Sequence, residues 1–284
     1  FTKVTPTGKD TSSVNIKGLV QTGTPTFQGG NPLVPIDETV AATFEDGSTE
    51  KVIPGEGTYV ISPDGTVTFT PEKTFVGDGT GVTVVRVDKN GTKARGKYIP
   101  HVLAVKPSAQ DAETTDIQGK EQTGKPEFKP GNPEVPMDDE VPATFEDGTT
   151  TKTIPGEGTY TINPETGEVT FKPEPNFTGK AQGIEVQRKD TNGTPATAKY
   201  TPTVKPVTPT SDDVVSEDVQ GAKQTGTPVF TPGKTTVNGK EVTVDIDESV
   251  KPTFEDGSTT KTIPGEGTYT VAPDGTVTFV PEKS

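Results

Sequence analysis

Apolar and polar residues alternate in short runs along the whole chain. Tyr59 and Ile61 fall on one side of an extended segment, Thr58 and Val60 on the other. Val67 and Phe69 then alternate with Thr66, Thr68 and Thr70. A period of two is that of a strand with one buried face. Ser62-Pro63-Asp64-Gly65 between the two runs predicts a hairpin turn. Pro54-Gly55 ahead of them predicts a type II turn, Pro fixing φ and Gly supplying φ > 0. The same alternation sets Val40, Ala42 and Phe44 on one inward face, and Val82 and Val84 on another. After an Asn90-Gly91 turn, Ala94, Gly96 and Tyr98 share a further inward face. Pro100 and Pro202 fall in that last strand type, which predicts an edge or an end there. No stretch keeps helical spacing over three turns. About seven short strands with frequent turns is the pattern of an immunoglobulin-like or related sandwich.

The pattern is written three times. "KVIPGEGTYV" at 51–60 returns as "KTIPGEGTYT" at 152–161 and 261–270, spacings of 101 and 109 residues. Residues 44–73 match residues 254–283 at 24 of 30 positions. The inward set recurs as Tyr160, Ile162, Val169 and Phe171, then as Tyr269, Val271, Val277 and Phe279. "QTGTPTF" (21–27) recurs as "QTGKPEF" (122–128) and "QTGTPVF" (224–230). The longer second step comes from an insert at 234–242 whose Asn238-Gly239 pair predicts a small hairpin. A period near 100 is too long for a solenoid and fits a complete small domain. The expectation is all-β: tandem immunoglobulin-like β-sandwich domains arranged as beads on a string. Residues 1–8 are expected to be the tail of a preceding repeat, with repeat one at 9–107, repeat two at 108–208 and a C-terminally incomplete repeat three at 209–284. The third repeat carries no counterparts of Val82, Val84 and Tyr98, so the chain is expected to be a segment of a longer array with Val277 and Phe279 exposed. The stretches 106–116 and 208–218, rich in Pro, Ser and acids and free of Gly, are expected to be short, stiff linkers.

Composition narrows the class. Hydrophobic content is 27%, the 284 residues carry a formal net charge of −14, and Gly (32) and Pro (28) are abundant. That alone leaves folded and disordered readings open. The kind of apolar residue decides: 32 Val and 11 Ile against 3 Leu favour sheet. The absence of Cys excludes disulfides, thiolate metal sites and Cys nucleophiles. The acidic balance argues against nucleic acid and anionic membranes as partners, and no apolar run predicts membrane insertion.

Parts for catalysis are missing. His101 is the only histidine, and its aligned position holds Thr203. "GEG" lacks the helix and the Lys-Ser/Thr pair of a phosphate loop. Glu56, Glu157 and Glu266 read as turn carboxylates bonded to nearby N–H groups. On that reading Glu157→Ala costs far less than Tyr160→Ala. The acidic pairs at 37–38, 138–140, 245–248, 45–46, 146–147 and 255–256 offer oxygen ligands of the type calcium takes, but without an EF-hand loop and with varying spacing; a solvated acidic surface is the simpler reading. A Lys–Asn isopeptide crosslink is disfavoured because Lys17 and Asn15 align with Gln118 and Asp116. No catalytic, cofactor-binding or metal residue is therefore assigned, and no cofactor is expected.

"QTGTPTF", "ATFEDGST", "IPGEGTY", "PDGTVTFTPE" and the closing "NGTPATAKYTPTV" together resemble CshA-type fibril repeats, tandem modules of cell-wall-anchored adhesins in streptococci and related bacteria. The resemblance covers nearly the whole chain. It implies a Gram-positive cell-surface, wall-anchored location and a structural stalk or fibril that projects a distal adhesive region. It implies neighbouring repeats of the same chain as partners, and a host matrix protein such as fibronectin bound through other regions of the parent protein. The alternative is that the repeats themselves are multivalent binding modules for a host matrix protein or glycan. Because the recurrent aromatics alternate inward, the stalk reading is preferred.

Overall fold

The computed structural model describes residues 1–283, and every regular element in it is a strand. Copy one holds β1 (Thr7–Lys9), β2 (Thr11–Ile16), β3 (Gln21–Gly23), β4 (Thr26–Gln28), β5 (Thr43–Phe44), β6 (Glu50–Ile53), β7 (Gly57–Ile61), β8 (Val67–Pro71), β9 (Gly77–Asp78), β10 (Val82–Val87) and β11 (Lys93–Leu103). Copy two repeats them as β12 (Ser108–Gln110), β13 (Ala112–Ile117), β14 (Gln122–Gly124), β15 (Glu127–Lys129), β16 (Thr144–Phe145), β17 (Thr151–Ile154), β18 (Gly158–Ile162), β19 (Val169–Pro173), β20 (Gly179–Lys180), β21 (Ile184–Lys189) and β22 (Pro195–Lys205). Copy three holds β23 (Thr210–Asp212), β24 (Gln224–Gly226), β25 (Val229–Thr231), β26 (Gly233–Val237), β27 (Lys240–Val244), β28 (Thr260–Ile263), β29 (Gly267–Val271) and β30 (Val277–Pro281).

Two sheets face each other in copies one and two. One has the order β3-β8-β7-β6, all antiparallel; the other has the order β2-β11-β10-β5, with β9 also on β11. The first long strand, β2, runs parallel to the last, β11. A two-stranded pair, β1 with β4, flanks them. The alternation argued from sequence sets the core. Tyr59, Ile61, Val67, Phe69, Val82, Val84, Ala94 and Tyr98 are all buried. Tyr59 pairs across β7 and β8 with Phe69, ring centroids 4.6 Å apart, and meets Tyr98 of the other sheet edge-on at 6.4 Å. Glu56 N donates to Ile53 O (3.0 Å) with Gly55 at φ 83°, the type II turn that Pro54-Gly55 predicts. Asn238 and Gly239 take φ of 50° and 79°, the hairpin turn joining β26 to β27.

Three expectations change. Val40 is 44% exposed, because Asp37 O accepts from Val40 N (3.2 Å) and turns the chain away before β5 begins. The proline-bearing strand β11 is central, not an edge: β2 lies on one side and β10 then β9 on the other. Pro100 O accepts from Gly79 N at 2.8 Å, so its N, on the same side of the strand, faces the gap where β10 has ended and β9 has not begun. The missing donor falls where no acceptor waits. Finally, most of the expected linker 106–116 is strand, β12 and β13 of copy two. Its apolar content is too low to show periodicity, since β13 is held by pairing with β22 and by Thr114 bonding Tyr200.

Copy three forms only the sheet β24-β30-β29-β28 and small pairs, with no strands among the described residues that match β9–β11. Tyr269 and Phe279, whose counterparts are fully buried, are half-buried, and Phe230 is 54% exposed.

Candidate functional site

The recurring phrase "IPGEGTY" builds a buried bond. The turn ends on Glu56, 6% exposed, which the strand geometry places beside Tyr59 three residues on. Tyr59 Oη donates to Glu56 Oε2 (2.6 Å), while Glu56 Oε1 accepts from Thr80 N and Thr80 Oγ1, both at 2.7 Å. Tyr59 Oη in turn accepts from Gly81 N (3.1 Å). Copy two repeats this: Tyr160 Oη to Glu157 Oε2 (2.8 Å), and Gln182 N to Glu157 Oε1 (2.7 Å). The carboxylate thus clips the β7–β8 sheet to the segment before β10. Burial, then the bond to the glutamate, pushes both tyrosine hydroxyls well above their ordinary pKa. The turn carboxylate does take backbone N–H groups, as expected; its burial and its bond to the tyrosine were not foreseen. A Glu that recurs in all three copies in one register was the signal available in the sequence.

The second recurring phrase, "QTG", has a role that sequence reasoning missed. Gln21 is buried, accepts from Ser13 Oγ (2.6 Å) and donates Nε2 to His101 O (2.9 Å), while Tyr98 Oη bonds Ser13. Gln122, Thr114, Tyr200 and Thr203 O repeat the arrangement. The glycine makes room for the tyrosine: a Cβ on Gly124 would lie 2.2 Å from Tyr200 Cε1. Recurrence of Gln in three copies was again the usable clue.

The joints between copies are small and specific. The connection into copy two reduces to residues 104–107, between β11 and β12. It lies on the copy that follows: a Cβ on Gly131 would meet Lys106 O at 2.3 Å and Val105 Cγ1 at 2.9 Å. The same seat recurs at Gly30 against Thr5 O (2.4 Å) and at Gly233 against Thr208 O (2.7 Å). Across the first joint, Asn192 Nδ2 donates to Lys17 O and Lys17 Nζ donates to Thr194 Oγ1, each at 2.8 Å. Across the second, Lys205 Nζ donates to Thr236 O, which places the insert hairpin β26–β27 against copy two.

The acidic pairs are engaged in local turns. Asp37 Oδ1 accepts from Thr39 Oγ1 (2.6 Å) and Thr39 N (3.0 Å). Asp46, Asp147, Asp247 and Asp256 do the same with the Ser or Thr two residues on. These hydroxyl and N–H donors hold all five carboxyls below the usual carboxylate range. Arg86 reaches Glu38 at 2.8 Å and Arg188 reaches Asp139 at 3.0 Å. Among the described residues no group of three or more His, Asp or Glu is placed to hold a metal ion. His101 Nδ1 lies 2.6 Å from Asp78 Oδ1 at a half-exposed strand position. Lys17 serves the joint, and Asn15 accepts from Ile16 N (2.8 Å). A cleft lined by Glu146, Asp147, Lys152 and Lys199, about 520 Å³, recurs in copy one at about 420 Å³ beside Glu45, Asp46, Lys51 and Lys97.

The chain is similar to several solved structures, one a single repeat domain and the others tandem domains. Repeat domain 13 of the fibrillar adhesin CshA from Streptococcus gordonii, solved by NMR, is 72% identical over 25% of this chain and 91% of that one, with a TM-score of 0.16. The titin I9–I11 tandem matches at 12% identity over 99% of this chain and 90% of that one, TM-score 0.33. Mouse cadherin-23 EC22–24 matches at 13% identity over 72% of this chain, TM-score 0.29, and the chain spans 65% of that structure's length. No curated protein matches the chain. The family model described as the surface adhesin CshA repetitive domain matches three times, at residues 3–102, 104–204 and 206–284. A profile matched in tandem over nearly every residue, on a chain with two like β-sandwich copies and a third that repeats one of their sheets, settles kinship: this chain belongs to the family of the surface adhesin CshA repetitive domain.

Proposed function

We propose that the three copies act as a stiff spacer, a length of fibril that carries a distal adhesive region away from a cell wall, and that they catalyse nothing. A surface adhesin repeat works outside the cell; wall anchoring and the distal adhesive region are part of this proposal. The observation that carries it is the seating of each connection on the copy that follows, at Gly30, Gly131 and Gly233. A four-residue connection packed against a glycine has few conformations left, so neighbouring copies hold a narrow range of angles. On the same ground each unit is proposed to begin with its seated connection, at 4–6, 105–107 and 207–209. The burial of Tyr59, Tyr98, Tyr160 and Tyr200 also favours a spacer, since it withholds the aromatic anchors that binding surfaces use.

One observation favours a second reading. The charged cleft that recurs at Lys51–Lys97 and Lys152–Lys199 gives a multivalent binding module a repeated place to bind a host protein or glycan. Small-angle scattering tests the first reading: an extended row is expected. A radius of gyration near ~19 Å, the value for one globule of this length, overturns it. Binding of matrix proteins lost on Lys152→Ala with the extended shape kept would favour the second.

A further inference from the structure

We propose that the exposed Asn90-Gly91-Thr92 turn of copy one is a docking surface for the Ile/Val-x-Gly turn of another copy of this repeat, tethered on its N-terminal side. The proposal deepens the spacer reading and rests on it. The docked form of the same turn is visible one copy along. Asn192 is 8% exposed because its Nδ2 is bonded to Lys17 O and Thr194 Oγ1 receives Lys17 Nζ. The two turns are alike in every internal bond. Asp88 Oδ1 accepts from Asn90 N and Thr92 N, both at 2.9 Å, as Asp190 Oδ1 accepts from Asn192 N and Thr194 N at 2.9 Å. Gly91 N to Asp88 O and Gly193 N to Asp190 O are both 2.8 Å. Asn90 presents the same amide, and it lies exposed.

The receiving half is also written in each copy. Leu19 N to Ile16 O, Lys120 N to Ile117 O and Ala222 N to Val219 O close three matching turns, with Gly18, Gly119 and Gly221 at φ 86°, 80° and 83°. A Cβ on Gly18 would lie 2.0 Å from Asn192 Oδ1, whereas on Gly119 or Gly221 it would meet nothing within 4 Å. The crowding at Gly18 therefore comes from docking, not from the turn. The acceptor is a backbone carbonyl, so Gln118 and Gln220 keep it, and a Gln amide can replace Lys17 Nζ as donor to a Thr hydroxyl. Two hydrogen bonds that replace bonds to water hold little by themselves. The short connection raises the effective concentration enough for them to set the angle. The partner is hence a tethered copy and not a free molecule.

The test uses residues 3–284 preceded by a duplicate of residues 3–103, so that residues 3–6 form a four-residue connection ahead of copy one, as 104–107 do ahead of copy two. Side-chain amide exchange of the Asn90 that follows the duplicate is followed by NMR. It should slow about tenfold, toward the Asn192 rate. Gly18→Ala in the duplicate should restore the fast rate, and Lys17→Met, which leaves the turn intact, should restore part of it. Gly119→Ala should not alter it. Unchanged exchange at Asn90, or slow exchange that survives Gly18→Ala, overturns the proposal. Concentration-dependent protection in the unextended chain overturns the tethered partner in favour of a free one. Scattering on the same samples keeps the two readings apart: an extended particle with unprotected Asn90 removes only the joint, and a compact one removes the spacer.

Discussion

Tyr160 donates its hydroxyl hydrogen to Glu157 at 2.8 Å in a site closed to water, and Tyr269 makes the same bond to Glu266 at 2.9 Å in the open. One sequence phrase thus has two energetic values, set by what packs over it. In copy two, removing the carboxylate leaves the buried hydroxyl hydrogen of Tyr160 and Gln182 N without an acceptor, while Gly183 N still donates to the hydroxyl oxygen.

Glu157→Ala should therefore destabilise copy two by about 1–3 kcal/mol, near the cost of an orphaned buried polar group. Tyr160→Ala, which empties a core position, should cost about 3–5 kcal/mol. Glu266→Ala should be close to neutral. Denaturant unfolding of the full chain, with hydrogen exchange to assign each loss to its copy, measures all three. Equal effects at Glu157 and Glu266 would refute the buried clip.

The tyrosines should report the fold at high pH. Burial raises the folded-state pKa of Tyr59, Tyr98, Tyr160 and Tyr200. Their contribution is intact below the unfolded value of about 10 and is lost as pH climbs above it toward the folded values. Absorbance at the phenolate band should show these four ionising only with unfolding. Tyr269, raised mainly by its bond to Glu266 and open to water, should titrate without it. Smooth ionisation of all five in a still-folded chain would contradict the packing.

Acid should act through the Asx turns. Hydroxyl donors lower Asp37, Asp46 and Asp147 in the folded chain, so their contribution is present above about pH 4 and fades as pH falls through the lowered values. Thermal unfolding should move to lower temperature between pH 5 and pH 2, and Asp147→Asn should reduce that movement for copy two. A midpoint independent of pH over this range would count against the turns as stabilising elements.

Gly131→Ala should lift the connection from copy two. The added methyl meets Lys106 O at 2.3 Å, and backbone cannot yield as a side chain does. Overpacking of this kind costs about 1–3 kcal/mol. Spin labels on copies one and two should show a broader distance distribution in the variant. An unchanged narrow distribution would mean that the seat does not set the angle.

Hydrogen exchange should rank the copies. Amides of Gly267–Val271 and Val277–Pro281, whose sheet has no facing strands among the described residues, should exchange faster than those of Gly158–Ile162 and Val169–Pro173. Equal protection would show that copy three closes its core by other means.

The sequence by itself determined what is local and periodic. Period-two alternation set Tyr59, Ile61, Val67 and Phe69 inward, because a pleated strand sends every second side chain to one face. Pro54-Gly55 and Asn238-Gly239 specified their turns through φ alone. Threefold recurrence of the whole pattern gave the tandem organisation. Tertiary structure decided whatever depends on which segments meet. Glu56 reads as a turn carboxylate and Gln21 as part of a recurring phrase with no assigned role, and only the facing Thr80 and His101 carbonyl make them buried clips. β13 has no apolar period, and it is a strand because β22 offers it a parallel edge. Pro100 sits mid-sheet because two partner strands leave a gap opposite its missing N–H. Asn90 and Asn192 are the same residue in the same turn; the second is buried because Lys17 of the preceding copy lies against it, a contact between residues 175 apart that no local pattern encodes.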